Sequence, residues 1–266
     1  MTFKIISNMI SNYKYILISY GRSGSTFINE TIGNIFNKKK NFNLSKELFG
    51  PNLKSMMKID NPVKKIEDYF KYLEEKYPMS YLYGFKWKPY YLNSNYINIF
   101  EYLKKNNIKV IVNYRNPIHI IISGIKHAKN KNLQHHYNSK DKKGLLYARS
   151  IKVTIPTSNL IKRMEDIENN MKLYINYLKK YNISFLKVNY QELCDDDKYW
   201  KEIINFLSIS KNDAYILKKT KLNKSLNNPK FQKTTVMKDY DLIENYNDVL
   251  KVLKGTKYNK YIDKKN

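Results

Sequence analysis

Residues 15–36 read YILISYGRSGSTFINETIGNIF, and this stretch decides the fold. The apolar run over 15–19 predicts a buried strand, and apolar residues at helical spacing from Thr26 to Phe36 predict the helix that follows. The loop between them holds two glycines, one arginine and three hydroxyl side chains. Because such a loop leaves backbone N–H groups unpaired at the positive end of a helix dipole, the stretch predicts an anion-binding site.

The side chains of this loop suit phosphate or sulfate oxygens. Gly24 allows close approach of the backbone, Ser25 and Thr26 add hydroxyl donors, and Arg22 adds a fork of N–H donors. The loop is not a Walker A motif, because Gly21 and Gly24 are too close together and Gly24 stands where the motif needs lysine. A plain turn with a helix N-cap would explain the same residues, so a second feature is needed.

The second feature is NYRNPIHIIISG, residues 113–124, which begins at the end of another apolar strand. Arg115 stands at the carboxyl end of that strand, where open parallel sheets bind ligands, and Ser123 follows eight residues later on the predicted helix. Together they could bind one phosphate, while the alternative is that Arg115 pairs with a surface carboxylate and Ser123 merely packs. Only four of the 49 basic residues are arginine, and two of them fall in these two loops. The bidentate geometry of arginine gives that placement a reason.

Predicted strands and helices alternate along the rest of the chain. The further strands are predicted at 80–92, 110–114 and 183–190, and the further helices at 63–76, 93–105, 118–126, 160–181, 200–207 and 241–253. The polar region 128–144 shows no periodicity and is predicted to be a loop. Alternation of this kind predicts an α/β fold, a central parallel sheet with helices on both faces, in one domain over residues 1–266.

Composition limits the classes of function. The formal charge of +26 suggests nucleic-acid binding, but the excess is lysine scattered along the chain, so solvated surface lysine explains it better and no nucleic-acid partner is expected. A single cysteine, Cys194, excludes an intramolecular disulfide and a cysteine-rich metal site. No apolar run is long enough for a membrane anchor, so a cytoplasmic protein is expected.

The residues quoted above resemble the sulfotransferases that use 3′-phosphoadenosine 5′-phosphosulfate (PAPS), especially those with an RSGST loop. The resemblance implies a P-loop NTPase-like sulfotransferase architecture and PAPS as the donor. It is carried further by VNYQELCDD, in which Tyr190 takes the place that contacts adenine, and by a C-terminal segment at 231–258. The donor-binding residues that it implies are Arg22, Ser23, Gly24, Ser25 and Thr26 for the 5′-phosphosulfate, Arg115 and Ser123 for the 3′-phosphate, Tyr190 for adenine, and Lys233 and Thr234 near the phosphates.

Sulfuryl transfer needs an in-line nucleophile, a base and positive charge on the leaving oxygen. In GFKWKPY, Lys86 and Lys88 lie on one face of the predicted strand, and the resemblance implies that one of them contacts the sulfate. Glu47, in NLSKELFG, resembles the carboxylate base of the RSGST-type enzymes. No metal is expected, since lysines and loop amides supply the charge. The expected acceptor is a hydroxyl or amine on a small molecule, carbohydrate or peptide, while a small-molecule kinase and a nucleic-acid-binding protein remain as alternatives.

Overall fold

The described residues contain a parallel sheet of four strands. The computed structural model describes residues 13–36, 47–50, 56–78, 82–89, 92, 94–129, 142–195, 197–207 and 238–263. The strands are β1 (Tyr13–Ser19), β2 (Leu82–Trp87), β3 (Lys109–Tyr114) and β4 (Phe185–Asn189), in the spatial order β2-β1-β3-β4. Every neighbouring pair is parallel, so the carboxyl ends of all four strands meet at one edge. The predicted parallel α/β fold is confirmed.

Helices connect the strands, as parallel pairing requires. Those before β3 are α1 (Ser25–Phe36), α2 (Pro62–Lys76) and α3 (Ser94–Lys105). Between β3 and β4 lie α4 (Pro117–Lys129), α5 (Lys142–Ser150) and α6 (Leu160–Lys180). After β4 come α7 (Tyr190–Asp195), α8 (Asp197–Leu207), α9 (Asp239–Leu242), α10 (Tyr246–Leu253) and a 3₁₀ turn over Asn259–Tyr261.

Helices cover both faces of the sheet. On one face Tyr15, Leu17 and Ile111 form a buried cluster with side chains of α1 and α8, among them Ile28 and Trp200. The other face is aromatic: Phe85 packs on Tyr69 and Phe70 of α2, and Trp87 packs on Tyr96 and Phe100 of α3 and on Tyr174. Side chains alternate along a strand, so Phe85 and Trp87 face this aromatic layer while Lys86, between them, faces α1.

The chain divides into two compact units. The first contains residues 1–114 and 172–226, and with them the whole sheet. The second contains residues 115–171 and 227–266. In the second unit, Val153 forms an isolated parallel bridge with Ile243, and the side-chain amide of Asn245 both accepts from the Ile155 N–H and donates to the Ile155 carbonyl, each at 2.9 Å.

The polar region predicted as a loop over 128–144 differs from the structure at both ends. Helix α4 runs to Lys129, and α5 begins at Lys142, where no helix was predicted. Among the α5 side chains that the structure describes, Leu146 and Tyr147 are 64% and 55% exposed, so these two residues add no buried apolar stripe that a periodic pattern could reveal. Residues 130–141 lie outside the described part of the chain.

Candidate active site

The loop after β1 has the backbone of an anion-binding turn. Arg22 and Gly24 both have positive φ, at 66° and 86°, and the Ser23 N–H donates to the Tyr20 carbonyl at 3.3 Å. Helix α1 begins at Ser25, and its first backbone bond runs from the Ile28 N–H to the Gly24 carbonyl. The amides of Ser25, Thr26 and Phe27 therefore stand at the positive end of a 12-residue helix, where an anion is stabilised.

Asn113 fixes this loop from the neighbouring strand. Its Nδ2 lies 2.9 Å from the Ser23 carbonyl oxygen, 3.1 Å from the Ser23 Oγ and 3.0 Å from the Ser19 Oγ. The Ser23 hydroxyl also donates to the Tyr20 carbonyl at 2.6 Å and contacts the Ser19 hydroxyl. Ser23, predicted to bind the donor, thus turns its side chain into the protein and holds the loop in shape. Sequence reasoning missed Asn113, for which the signal was an amide inside the apolar run VIVNY.

The ring of Tyr190 lies directly over Gly24. A Cβ atom at Gly24 would stand 2.1 Å from the Tyr190 Cε2, so only glycine leaves room for the ring. Phe27 packs edge-on against Tyr190, with ring centroids 6.2 Å apart, and edge-on against Trp200 at 5.6 Å. The structure therefore places Tyr190 beside the loop, in an aromatic corner with Phe27 that sequence reasoning did not single out.

Glu47, Lys86 and Lys88 form one ionic cluster. The Lys88 Nζ lies 2.7 Å from one carboxylate oxygen of Glu47, and the Lys86 Nζ lies 3.7 Å from the other. Glu47 is held in place by its backbone, which forms a parallel bridge with Lys86 beside β2. The predicted base and both predicted lysines thus lie together, although Glu47 is far from them in sequence.

Lys86 joins this cluster to the loop. Its Nζ donates a 2.9 Å hydrogen bond to the Thr26 Oγ1, in the first turn of α1. The residue is only 5% exposed, and burial lowers the pKa of Lys86 while Glu47 opposes that shift and Lys88 adds to it. An anion held by the loop would favour the charged form of this lysine. The site therefore offers a carboxylate and a buried cation next to a turn whose backbone geometry suits an anion.

Arg115 and Ser123 belong to the second unit. Arg115 follows β3 directly and is half-buried, with its Nε atom enclosed by protein, and Ser123 is half-buried on α4. Lys126, one turn beyond Ser123, is 5% exposed, and burial lowers its pKa to about 8. The other faces of α4 are rich in buried isoleucine, namely Ile118, Ile120, Ile121 and Ile122.

Two of the predicted donor-binding residues, Lys233 and Thr234, lie outside the described residues. Among the residues that the structure does describe, no three histidine, cysteine, aspartate or glutamate side chains are grouped so that they could hold a metal ion. Within the same part of the chain, no helix is both long and apolar enough to cross a membrane.

The structure thus has a strand–loop–helix turn beside a carboxylate and two lysines on a parallel sheet, an arrangement that suits an α/β enzyme acting on an anionic substrate. The family model of the sulfotransferase domain matches residues 13–265, so the chain belongs to the sulfotransferase domain family. No curated protein sequence matches the chain. The chain is similar to the crystal structure of mouse sulfotransferase SULT7A1 complexed with PAP, at 16% identity and a TM-score of 0.41, over 94% of this chain and 79% of that one.

One domain over residues 1–266 was predicted, and the family match runs along nearly all of that length. The extent of the domain stays a prediction beside the two units described above.

Proposed function

We propose that the protein transfers the sulfuryl group of PAPS to a hydroxyl or amine of an acceptor, by in-line displacement with Glu47 as the base. The observation that carries the proposal is the contact chain from the loop to the carboxylate: Thr26 accepts from Lys86, and Lys86 and Lys88 flank Glu47. Family membership supports sulfuryl transfer, while the choice of PAPS rests on the resemblance of the RSGST loop.

In this proposal the loop amides, Arg22 and Thr26 hold the 5′-phosphosulfate. Glu47 takes the proton of the acceptor O–H or N–H as the acceptor atom forms its bond to sulfur. The bond between sulfur and the bridging phosphate oxygen breaks, and its electron pair stays on the 5′-phosphate. The Lys86 ammonium, fixed beside the loop before reaction, stabilises the negative charge that grows on that oxygen and on the sulfonate. The products are a sulfated acceptor and 3′,5′-adenosine bisphosphate.

Arg115 and Ser123 are proposed to bind the 3′-phosphate of the same nucleotide, with Tyr190 near its adenine. Lys233 and Thr234 keep their proposed place near the phosphates. A kinase is less well supported, because Gly24 occupies the position of the Walker lysine and β3 ends in Asn113 and Tyr114, without an aspartate for Mg²⁺.

Calorimetric titration tests the donor. We expect 3′,5′-adenosine bisphosphate to bind more tightly than 5′-AMP, and we expect ATP with Mg²⁺ or a short oligonucleotide to bind more weakly than either. Arg115→Ala should remove most of the advantage of the bisphosphate and leave 5′-AMP binding within about twofold, since only the bisphosphate carries the 3′-phosphate that a bidentate arginine would hold. Tightest binding of ATP with Mg²⁺ would favour the kinase, and binding of the oligonucleotide alone would refute the enzyme proposal.

A further inference from the structure

Asn116, the residue after Arg115, links the start of α4 to a part of the second unit that is distant in sequence. Its Oδ1 accepts from the Ile118 N–H at 2.9 Å, which caps the first turn of α4. Its Nδ2 donates to the Tyr261 carbonyl at 2.6 Å. One side chain therefore ties the start of α4 to the 3₁₀ turn at Asn259–Tyr261 near the C-terminus.

That turn is itself firmly held. The Tyr261 hydroxyl donates to the Glu168 Oε1 at 2.9 Å, and the Tyr258 hydroxyl lies 3.4 Å from the Glu168 Oε2. The Lys257 Nζ also lies 3.4 Å from that oxygen, so the Glu168 carboxylate contacts Tyr261 of the turn and the two residues just before the turn, Lys257 and Tyr258. Burial, aided by Glu168, raises the pKa of Tyr261 to about 12, so its hydroxyl stays protonated well into the alkaline range. The Tyr261 carbonyl that accepts from Asn116 thus belongs to a residue whose side chain is itself hydrogen-bonded to Glu168.

We propose that Asn116 is a positioning residue for Arg115, and that the C-terminal turn at 259–261 sets the orientation of the Arg115 backbone through it. The proposal rests on the proposed role of Arg115 at the 3′-phosphate. Bidentate contact by a guanidinium depends on its orientation, so a rotation of the backbone at 115–116 weakens phosphate binding without removing any group that touches the ligand. The selectivity for a 3′-phosphate would then depend on residues that are far from Arg115 in sequence.

The test compares two asparagines of similar geometry. Asn116→Ser keeps a residue type that caps helices, adds no charge and removes the amide donor to Tyr261. Asn245→Ser is the matched control, because Asn245 also accepts from one backbone N–H and donates to one carbonyl, both of Ile155, without touching the Arg115 turn. Affinities for 3′,5′-adenosine bisphosphate and for 5′-AMP are measured by calorimetry on the full chain.

We expect Asn116→Ser to lower the ratio of the two affinities about fivefold to tenfold, roughly the equivalent of one hydrogen bond, with 5′-AMP affinity nearly unchanged. Asn245→Ser should leave the ratio at the wild-type value. An unchanged ratio in Asn116→Ser, or an equal fall in Asn245→Ser, would overturn the positioning role alone. A wild-type protein without any preference for the bisphosphate would overturn the role of Arg115, and this proposal with it.

Tyr261→Phe provides a second variant if Asn116→Ser does not fold. It removes only the hydroxyl that holds the turn to Glu168 and leaves the Tyr261 carbonyl in place. We expect a fall in the affinity ratio in the same direction, about twofold to fivefold, because the carbonyl that receives Asn116 is then less firmly held. A ratio equal to that of the wild type would count against the proposal.

Discussion

Replacing Gly24 by alanine should destabilise the protein for two reasons that can be measured separately. Gly24 has a φ of 86°, and an L-residue other than glycine loses about 1–2 kcal/mol in such a left-handed conformation. The new Cβ would also stand 2.1, 2.2 and 2.8 Å from three atoms of the Tyr190 ring. The ring would have to move by more than about 1 Å to reach ordinary contact, and overpacking of this kind costs about 1–3 kcal/mol.

Gly255→Ala isolates the first of these terms. Gly255 has a φ of 77°, close to that of Gly24, but a Cβ there would meet nothing within 4 Å. Alanine also stabilises by about 0.4–1 kcal/mol through the unfolded chain at both sites, so this gain cancels in the comparison. The unfolding free energy of Gly24→Ala should therefore fall below that of Gly255→Ala by about 1–3 kcal/mol in urea denaturation.

The double variant Gly24→Ala/Tyr190→Ala completes the test. Removal of the ring relieves the clash, so the two substitutions should be non-additive by about 1–3 kcal/mol in the stabilising direction. Gly24→Ala alone should also weaken binding of 3′,5′-adenosine bisphosphate, because Tyr190 is displaced from the loop. Equal costs for Gly24→Ala and Gly255→Ala, or additive effects in the double variant, would refute the packing of Tyr190 on Gly24.

Three further predictions concern Glu47, Asn113 and Lys126. Glu47→Gln should slow sulfuryl transfer about 10²–10⁴-fold in an assay with labelled PAPS and a panel of hydroxyl and amine acceptors, whereas Glu74→Gln, which loses a similar 2.7 Å ion pair with Lys14, should not. Asn113→Ala should cost about 2–4 kcal/mol of unfolding free energy, since it removes the amide that donates to buried oxygens of Ser19 and Ser23; a loss below about 1 kcal/mol would contradict its anchoring role. Burial lowers the pKa of Lys126 to about 8, so the unfolded chain binds more protons than the folded chain above pH 8, and stability from this group rises from there to about pH 10.4. The unfolding free energy of the wild type should therefore rise relative to that of Lys126→Met as the pH increases from about 8 to about 10.4, measured by urea denaturation at each pH.

The strands and the loop could be read from the sequence because their signals are local. The apolar runs that predicted strands at 15–19 and 110–114 fall within β1 and β3, and the glycine-rich turn between β1 and α1 lies where predicted. Such patterns reflect burial, which a parallel sheet imposes on both faces of its strands. Helix α5 was not predicted, because its described apolar side chains are exposed.

The arrangement of the site could be read only in part, since it depends on register between distant segments. Glu47 was selected by resemblance, but its bridge to Lys86 is a pairing between segments that no periodicity fixes. Asn113 was read as part of an apolar strand, and its anchoring role became visible only when the sheet placed it beside Ser19. Likewise, no local sequence pattern around Asn116 predicts that its amide donates to the Tyr261 carbonyl.

The missing Walker lysine has a structural counterpart on the neighbouring strand. The loop itself carries Arg22 and has Gly24 where a kinase has lysine, yet an ammonium group still contacts the first turn of α1, because the pairing of β1 with β2 places Lys86 opposite Leu17 and on the face of α1. A cation fixed by a buried strand has few accessible rotamers, and Glu47 beside it compensates its charge. This arrangement couples the cation to the proposed base, which a lysine within the loop would not do. In the proposed reaction the same residue stabilises the leaving oxygen and orients the carboxylate, so Lys86→Met should both weaken donor binding and slow transfer at saturating donor, whereas loss of a loop lysine in a kinase impairs phosphate contacts alone.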